Sequence, residues 1–231
     1  NLDLADYPGQ IEHGIMIVDK NLEKDLDKDI VDVLNLKEDI IEFEITSNRP
    51  DCFSIEGLGR EVAVSLNKEF KNPRGNLDKL KIEDKKEIEG LKVDIEAPDL
   101  CYRYIARVVK DVKIKESPEW IKRRLKACGV RSINNIVDIT NYVMLELGEP
   151  MHAFDINSIE GKHITVRRAK NGEKITTLDE QERKLNEDNL VIADDKKAVA
   201  IAGVMGGLNS EIENDTETVV FEAAVFYGGS V

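Results

Sequence analysis

The feature that most restricts the fold is a change of hydrophobic period in the second half of the chain. Residues 117–129 (SPEWIKRRLKACG) and 133–148 (INNIVDITNYVMLELG) carry helical patterns. In the second, Ile136, Ile139, Val143 and Leu147 recur at three- and four-residue steps. Ser117 reads as an N-cap, Pro118 as the first helical position, and Gly129 and Gly148 as left-handed stops. Beyond 149–155 (EPMHAFD), read as a loop, the pattern becomes short strands at 163–169, 173–178, 183–185, 190–194, 198–202 and 217–222. Asn171-Gly172 and Asp194-Asp195 are among the turns between them. With 101–114 read as a strand, the order is one strand, two helices, then many strands. That predicts an α+β fold with helices packed on mixed or antiparallel sheets.

Residues 1–75 read as a smaller α+β portion. It has strands at 13–19 and 39–46, a short helix carrying Leu22, Leu26, Ile30 and Leu34, and a helix from Phe53 to Leu66 with Ile55, Leu58 and Val62 on one side. Polar residues 76–92 read as a linker within the charged stretch 67–92, and 93–231 as the second module. The chain starts at Asn1 and stops just after a strand-like run, so it is expected to be part of something longer.

Charge narrows the functional classes. The net charge is −13, yet residues 101–131 hold ten basic and three acidic side chains. An acidic whole disfavours strong non-specific nucleic-acid binding but permits one RNA end to dock on a local patch. Lys122, Arg123, Arg124 and Lys126, with Arg131 beyond, either touch phosphate or form a solvated helix face. No run approaches the roughly 18 apolar residues of a membrane span. Three scattered cysteines (Cys52, Cys101, Cys128) suit neither a disulfide scaffold nor a zinc site, so a reduced, cytosolic protein is expected. P-loop, dinucleotide, zincin and nucleophile-elbow motifs are absent, and three histidines offer little to triads or metal centres.

Four features remain as candidates, each with a structural alternative. His152 follows a helix stop, with Pro150 stiffening the backbone and Asp155 in reach to orient the imidazole; it could equally hold a turn. Thr140 and Asn141 interrupt an apolar helix and need partners, from a ligand or a neighbouring element. The glycine-rich AGVMGG (202–207) allows close backbone approach to a ligand or a sharp bend between strands. Glu222 stands in an apolar strand and points either inward, where it requires a donor, or to solvent.

Three strings then carry a resemblance: EFEITSNRPDCFSIEGLGREVA (42–63), INNIVDITNYVMLELGEPMHAFD (133–155) and AIAGVMGGLNSEIENDTETVVFEAA (200–224). Together they resemble the family of bacterial phenylalanyl-tRNA synthetase beta subunits, over nearly the whole chain. The resemblance implies the rear of that subunit's first domain followed by its third and fourth domains, the editing module. That module hydrolyses tyrosine wrongly esterified to phenylalanine tRNA. It implies Glu222 as acceptor of the tyrosine hydroxyl, His152 near the ester, Thr140, Asn141 and Gly206 as pocket residues, and Arg131 nearby. It also implies phenylalanine tRNA and a synthetase alpha subunit as partners, in a heterotetramer of two alpha and two beta chains. No metal or cofactor is implied for this portion, whereas ATP and Mg2+ serve the intact synthetase on alpha. The rival readings are a non-catalytic RNA-docking or assembly module and a free-standing sugar- or nucleotide-binding domain; for the latter, LNSEIEN after the glycines is a poor phosphate-cradling helix start.

Overall fold

The computed structural model describes residues 20–34, 39–71, 87–88 and 90–231, together with Ile17 and Lys37. Except for Ile17, the strand expected at 13–19 lies outside the described residues, as does most of the expected linker.

In the N-terminal portion, the expected helix around residues 22–34 is broken. A 3-10 turn covers Lys20–Asp25, and Asp29 then caps the single-turn α1 (Ile30–Val33) by accepting from Val31 N at 2.8 Å. Residues 39–46 form no strand. Extended backbone becomes a strand only where a neighbour takes its N–H and C=O groups, and no described strand pairs with this one; Ile40, Ile41 and Phe43 are exposed. Helix α2 (Ile55–Ser65) forms as expected, with Ser54 Oγ accepting from Gly57 N at 3.0 Å. Its buried residues are Glu56, Gly57 and Ala63, not the expected stripe. Ile55, Val62 and Leu66 are exposed, and Leu58, Val62 and Leu66 border a cleft of about 420 Å³ shared with Phe43 and Ile45.

The second part is built of two sheets. Strands β1 (Glu87–Ile88), β2 (Leu91–Ile95), β5 (His163–Arg168), β8 (Leu190–Ala193), β9 (Ala198–Ile201) and β10 (Met205–Gly206) form a six-stranded sheet in that order. Only β2 and β5 run parallel. Strands β3 (Cys101–Val109), β11 (Val219–Phe226) and β4 (Met151–Asp155) form an antiparallel sheet with β11 in the centre. The hairpin β6 (Lys174–Thr176) and β7 (Glu182–Lys184) closes over the six-stranded sheet through Ile175, beside Val191 and Ala193. The α+β class is thus observed.

The main core lies between the two sheets. Phe154, Val220 and Cys101 of the smaller sheet meet Ile164, Val166, Leu190, Ile192 and Val199 of the larger. Because neighbouring strand residues face opposite ways, Ala153, Val219 and Phe221 point to the other face. There they pack with Ile136 of α4 (Asn135–Leu147). Strand β4 is a correction, since EPMHAFD reads locally as a loop. Its strand state comes from pairing with the distant β11, which no local pattern reports.

The two helices of this part are joined by a buried carboxylate. Helix α3 is Glu119–Ala127, with Pro118 at the cap position and no side-chain cap. Ser117 was the expected cap. Its hydroxyl instead donates to Asp138 Oδ2 at 2.5 Å, as does that of Ser132, and Ile133 N donates to Oδ1 at 2.8 Å. Asp138 has no exposed surface and lies in the first turn of α4, where helix N–H groups favour negative charge. Asn134 caps α4 by accepting from Ile136 N and Val137 N, and Gly148 ends it at φ +79°, as expected. Asp138→Ala leaves three donors without their acceptor, of which the Ser117 hydroxyl is buried and the other two lie nearer solvent, so a loss of about 2 kcal/mol in unfolding free energy is expected by urea denaturation. A loss below about 1 kcal/mol would show that the donors find other partners.

Candidate active site

Strand pairing assembles the candidate site. Glu222 on β11 lies directly opposite His152 on β4 and Ala106 on β3. Directly opposed residues share a sheet face, so Glu222 and His152 emerge side by side. Phe154 and Val220, one step along on that face, are wholly buried, so the face looks into the space between the sheets. Glu222 is 8% exposed, which resolves its two sequence alternatives in favour of the inward one.

A buried carboxylate needs a donor, and Tyr104 on β3 supplies it. Its hydroxyl donates to Glu222 Oε2 at 2.6 Å. Tyr104 faces Ala224 in the ladder, so its ring reaches diagonally to Glu222. Burial raises the Glu222 pKa to about 7, and the bond from Tyr104 works against that rise. The Tyr104 phenol is pushed well above its ordinary value by burial, then by the adjacent carboxylate.

His152 is placed differently from the sequence reading. It sits on a strand, and Asp155 does not orient it. Residues three apart on a strand face opposite ways, and Asp155 accepts from Thr216 Oγ1 at 2.7 Å and Asn157 N at 2.8 Å. The ring packs edge-on against Phe154 with centroids 4.6 Å apart. Among the described residues no hydrogen bond engages its nitrogens. Burial lowers its pKa to about 4, so the ring is neutral at pH 7.

Gly206 completes this group. The glycine-rich run turns from β9 into β10, with Gly206 opposite Ala200. A Cβ at residue 206 would lie 2.5 Å from His152 Cε1 and 2.7 Å from Nε2. Only glycine leaves the ring where it is. Of the two sequence readings of the run, the bend between strands is observed, and Gly206 closely approaches His152.

The other predicted residues are not tied to this trio. Thr140 is buried, but its hydroxyl donates to Val137 O at 2.7 Å within its own helix. Asn141 is half-buried, and Arg131 is exposed between α3 and α4. No hydrogen bond joins any of the three to His152 or Glu222 among the described residues. On the basic helix, Lys122 pairs with Glu119, while Arg124 stacks over Trp120 and Tyr142 and donates to the Tyr142 hydroxyl. Tyr104 escaped the sequence reading. Its one signal was a shared strand parity with Ala106 and Val108, and its partner depends on a register the sequence does not disclose. No group of three or more His, Cys, Asp or Glu among the described residues is arranged to hold a metal.

The arrangement is a buried acceptor carboxyl group beside a half-buried, neutral imidazole. It can bind a hydroxyl donor at one end and orient a polar group or water at the other. The two buried groups also set opposing pH dependences. The folded pKa of His152 lies below the unfolded value of about 6.5, so its contribution is lost as pH falls from about 6.5 to 4. That of Glu222 lies above about 4.5, so the fold binds the extra proton and stability falls as pH rises from about 4.5 to 7. Stability should therefore be nearly flat across the overlap in wild type. In His152→Ala it should fall as pH rises, measured by denaturation at each pH; parallel profiles for the two would show that folding does not lower the His152 pKa. Gly206→Ala should displace the imidazole and move its ring NMR resonances, and unmoved resonances would show that the β9–β10 turn yields instead.

A family model described as the B3/4 domain matches residues 100–231. The phenylalanine–tRNA ligase beta subunit of Clostridium acetobutylicum is 50% identical over 220 residues, covering 95% of this chain and 27% of that protein. The subunit of the same name from Fusobacterium nucleatum is 52% identical over 197 residues, covering 84% and 24%. A solved N-terminal fragment of the Pyrococcus horikoshii phenylalanyl-tRNA synthetase beta subunit matches at a TM-score of 0.46 and 18% identity, over 80% of this chain and 55% of that one, too remote to bear on function. The chain thus spans about a quarter of the length of the curated relatives it matches. It belongs to the B3/4 domain family, and nearly its whole length is similar to phenylalanine–tRNA ligase beta subunits.

Proposed function

We propose that this chain is the editing portion of a phenylalanine–tRNA ligase beta subunit and hydrolyses tyrosine esterified to phenylalanine tRNA. The observation that carries the reading is Glu222: a desolvated carboxylate, already in a 2.6 Å bond to a phenol, directly across the ladder from a neutral histidine. Tyrosine exceeds phenylalanine by one hydroxyl. A hydrophobic synthetic pocket rejects such an addition only about 100-fold, whereas a site built to bond the hydroxyl discriminates far better. Glu222 is that acceptor, and a phenol–carboxylate bond is charge-assisted.

In this mechanism the terminal adenosine of the tRNA lays the tyrosyl ester along the face between Glu222 and His152. Water adds to the ester carbonyl carbon, the bond to the ribose oxygen breaks, and that oxygen leaves with a proton. His152, neutral at pH 7, orients the water or the ribose by a hydrogen bond. With its low pKa it is a poor proton acceptor, so the free ribose hydroxyl next to the ester is the better shuttle. Backbone groups around Gly206 line the approach beside the ring. Thr140 and Asn141 contribute to amino-acid positioning once the tRNA is bound, and Arg131 contributes charge toward its backbone. The working partners are phenylalanine tRNA and the synthetase alpha subunit in a two-alpha, two-beta assembly. ATP and Mg2+ belong to the aminoacylation step on alpha.

The reading is tested in the intact synthetase. Glu222→Gln should lower hydrolysis of tyrosyl-tRNA by about 10- to 100-fold, the worth of one hydrogen bond to a charged group. His152→Ala should lower kcat with little change in KM. Unchanged deacylation in Glu222→Gln would refute the assignment, and unchanged deacylation in His152→Ala would remove the histidine from it.

A further inference from the structure

We infer that Tyr104 is a specificity-positioning residue: its phenol occupies one oxygen of Glu222, holding the carboxylate as a pure acceptor with the other oxygen left for the ligand hydroxyl. The inference rests on the editing reading above and deepens it.

The argument starts from what a carboxylate needs. An ionised carboxyl accepts at about four lone-pair sites, so a bond at Oε2 leaves Oε1 able to accept a second phenol. A protonated carboxyl differs, because its O–H is itself a donor. It would bond the ligand hydroxyl only as a neutral group, without the charge assistance that strengthens the bond to a carboxylate. Burial drives Glu222 toward that protonated form, and the one interaction opposing it is the bond from Tyr104. The titratable groups around Glu222 are Tyr104 and Cys101 on β3 and His152 on β4. The hydrophobic cluster between the two sheets includes Ile164, Val166, Leu190 and Val199 of the opposing sheet. No cation stands in for Tyr104 among these groups.

The bond also moderates discrimination. In the empty site the carboxylate already has a donor, so phenylalanine in the pocket does not strand a wholly unbonded charge. Selectivity then comes from the second bond that tyrosine adds, rather than from rescuing an orphan.

Tyr104→Phe in the intact synthetase tests this. Wild-type kcat/KM for tyrosyl-tRNA should rise through the ionisation of Glu222 at about pH 7. In the variant that limb should move up by roughly one pH unit, with KM raised about fivefold and kcat within about twofold. A fluorinated tyrosine at position 104, a stronger donor, should move the limb down and preserves the fold should the phenylalanine variant misfold. A Tyr104 profile that overlays wild type, alongside Glu222→Gln that loses activity, overturns the positioning role and leaves the editing reading standing. A Glu222→Gln enzyme that keeps full tyrosyl-tRNA hydrolysis overturns both.

Discussion

The register of one antiparallel strand brings the candidate site together. β11 lies between β3 and β4, and its pairing sets Glu222 opposite His152 and diagonal to Tyr104. Strand side chains alternate with period two, so a one-residue slip would turn Glu222 out of the interior and send Phe221 or Ala223 inward. Two constraints oppose such a slip. Val220 and Phe154 fill the core beside the site, and Val219 and Ala153 pack under α4 on the other face. The register is therefore pinned from both sides by apolar burial, and the polar group is carried into place by it.

That placement has an electrostatic cost, which the fold meets in two ways. Glu222 receives a phenol donor, so its charge is not left bare. His152 remains neutral, so no second charge is buried beside it. The low-dielectric setting that makes an unpaired carboxylate expensive also makes each bond formed there stronger. Asp138 solves the same problem differently, by collecting two hydroxyls and a backbone N–H at the junction of the two helices. The two buried carboxyl groups differ in how many acceptor positions the protein itself has filled, three donors at Asp138 against the single phenol at Glu222.

Local chemistry was legible in the sequence and pairing was not. α4 could be read because Asn134, Gly148 and the apolar spacing act within a few residues of one another. Most of the short strands could be read from turn residues and β-branched runs. β4 could not, because PMHAF lacks alternation and becomes a strand only against β11. Ser117 was misread since a capping rule considers the next turn of chain, while the hydroxyl is claimed by Asp138, 21 positions on. Residues 39–46 have strand composition without a described neighbour to make it a ladder. At the site, Glu222 stood out as a carboxylate in an apolar strand, His152 through a loop reading that the structure replaces with a strand, and Gly206 as part of a glycine-rich run. Tyr104, an ordinary residue in an ordinary strand, carried no such mark.

The central position of β11 bears on how the molecule comes into being. Tyr104 and Glu222 stand 118 positions apart, and β3 and β4 are both made before the strand that separates them. During synthesis the two early strands must wait with bare edges for a third to slide between them. Such long-range closure is slow, and open edges invite pairing with other chains. Assembly of this sheet thus waits for β11 to be made, and a ribosome that halts before Val219 leaves a product with neither Glu222 nor a finished sheet.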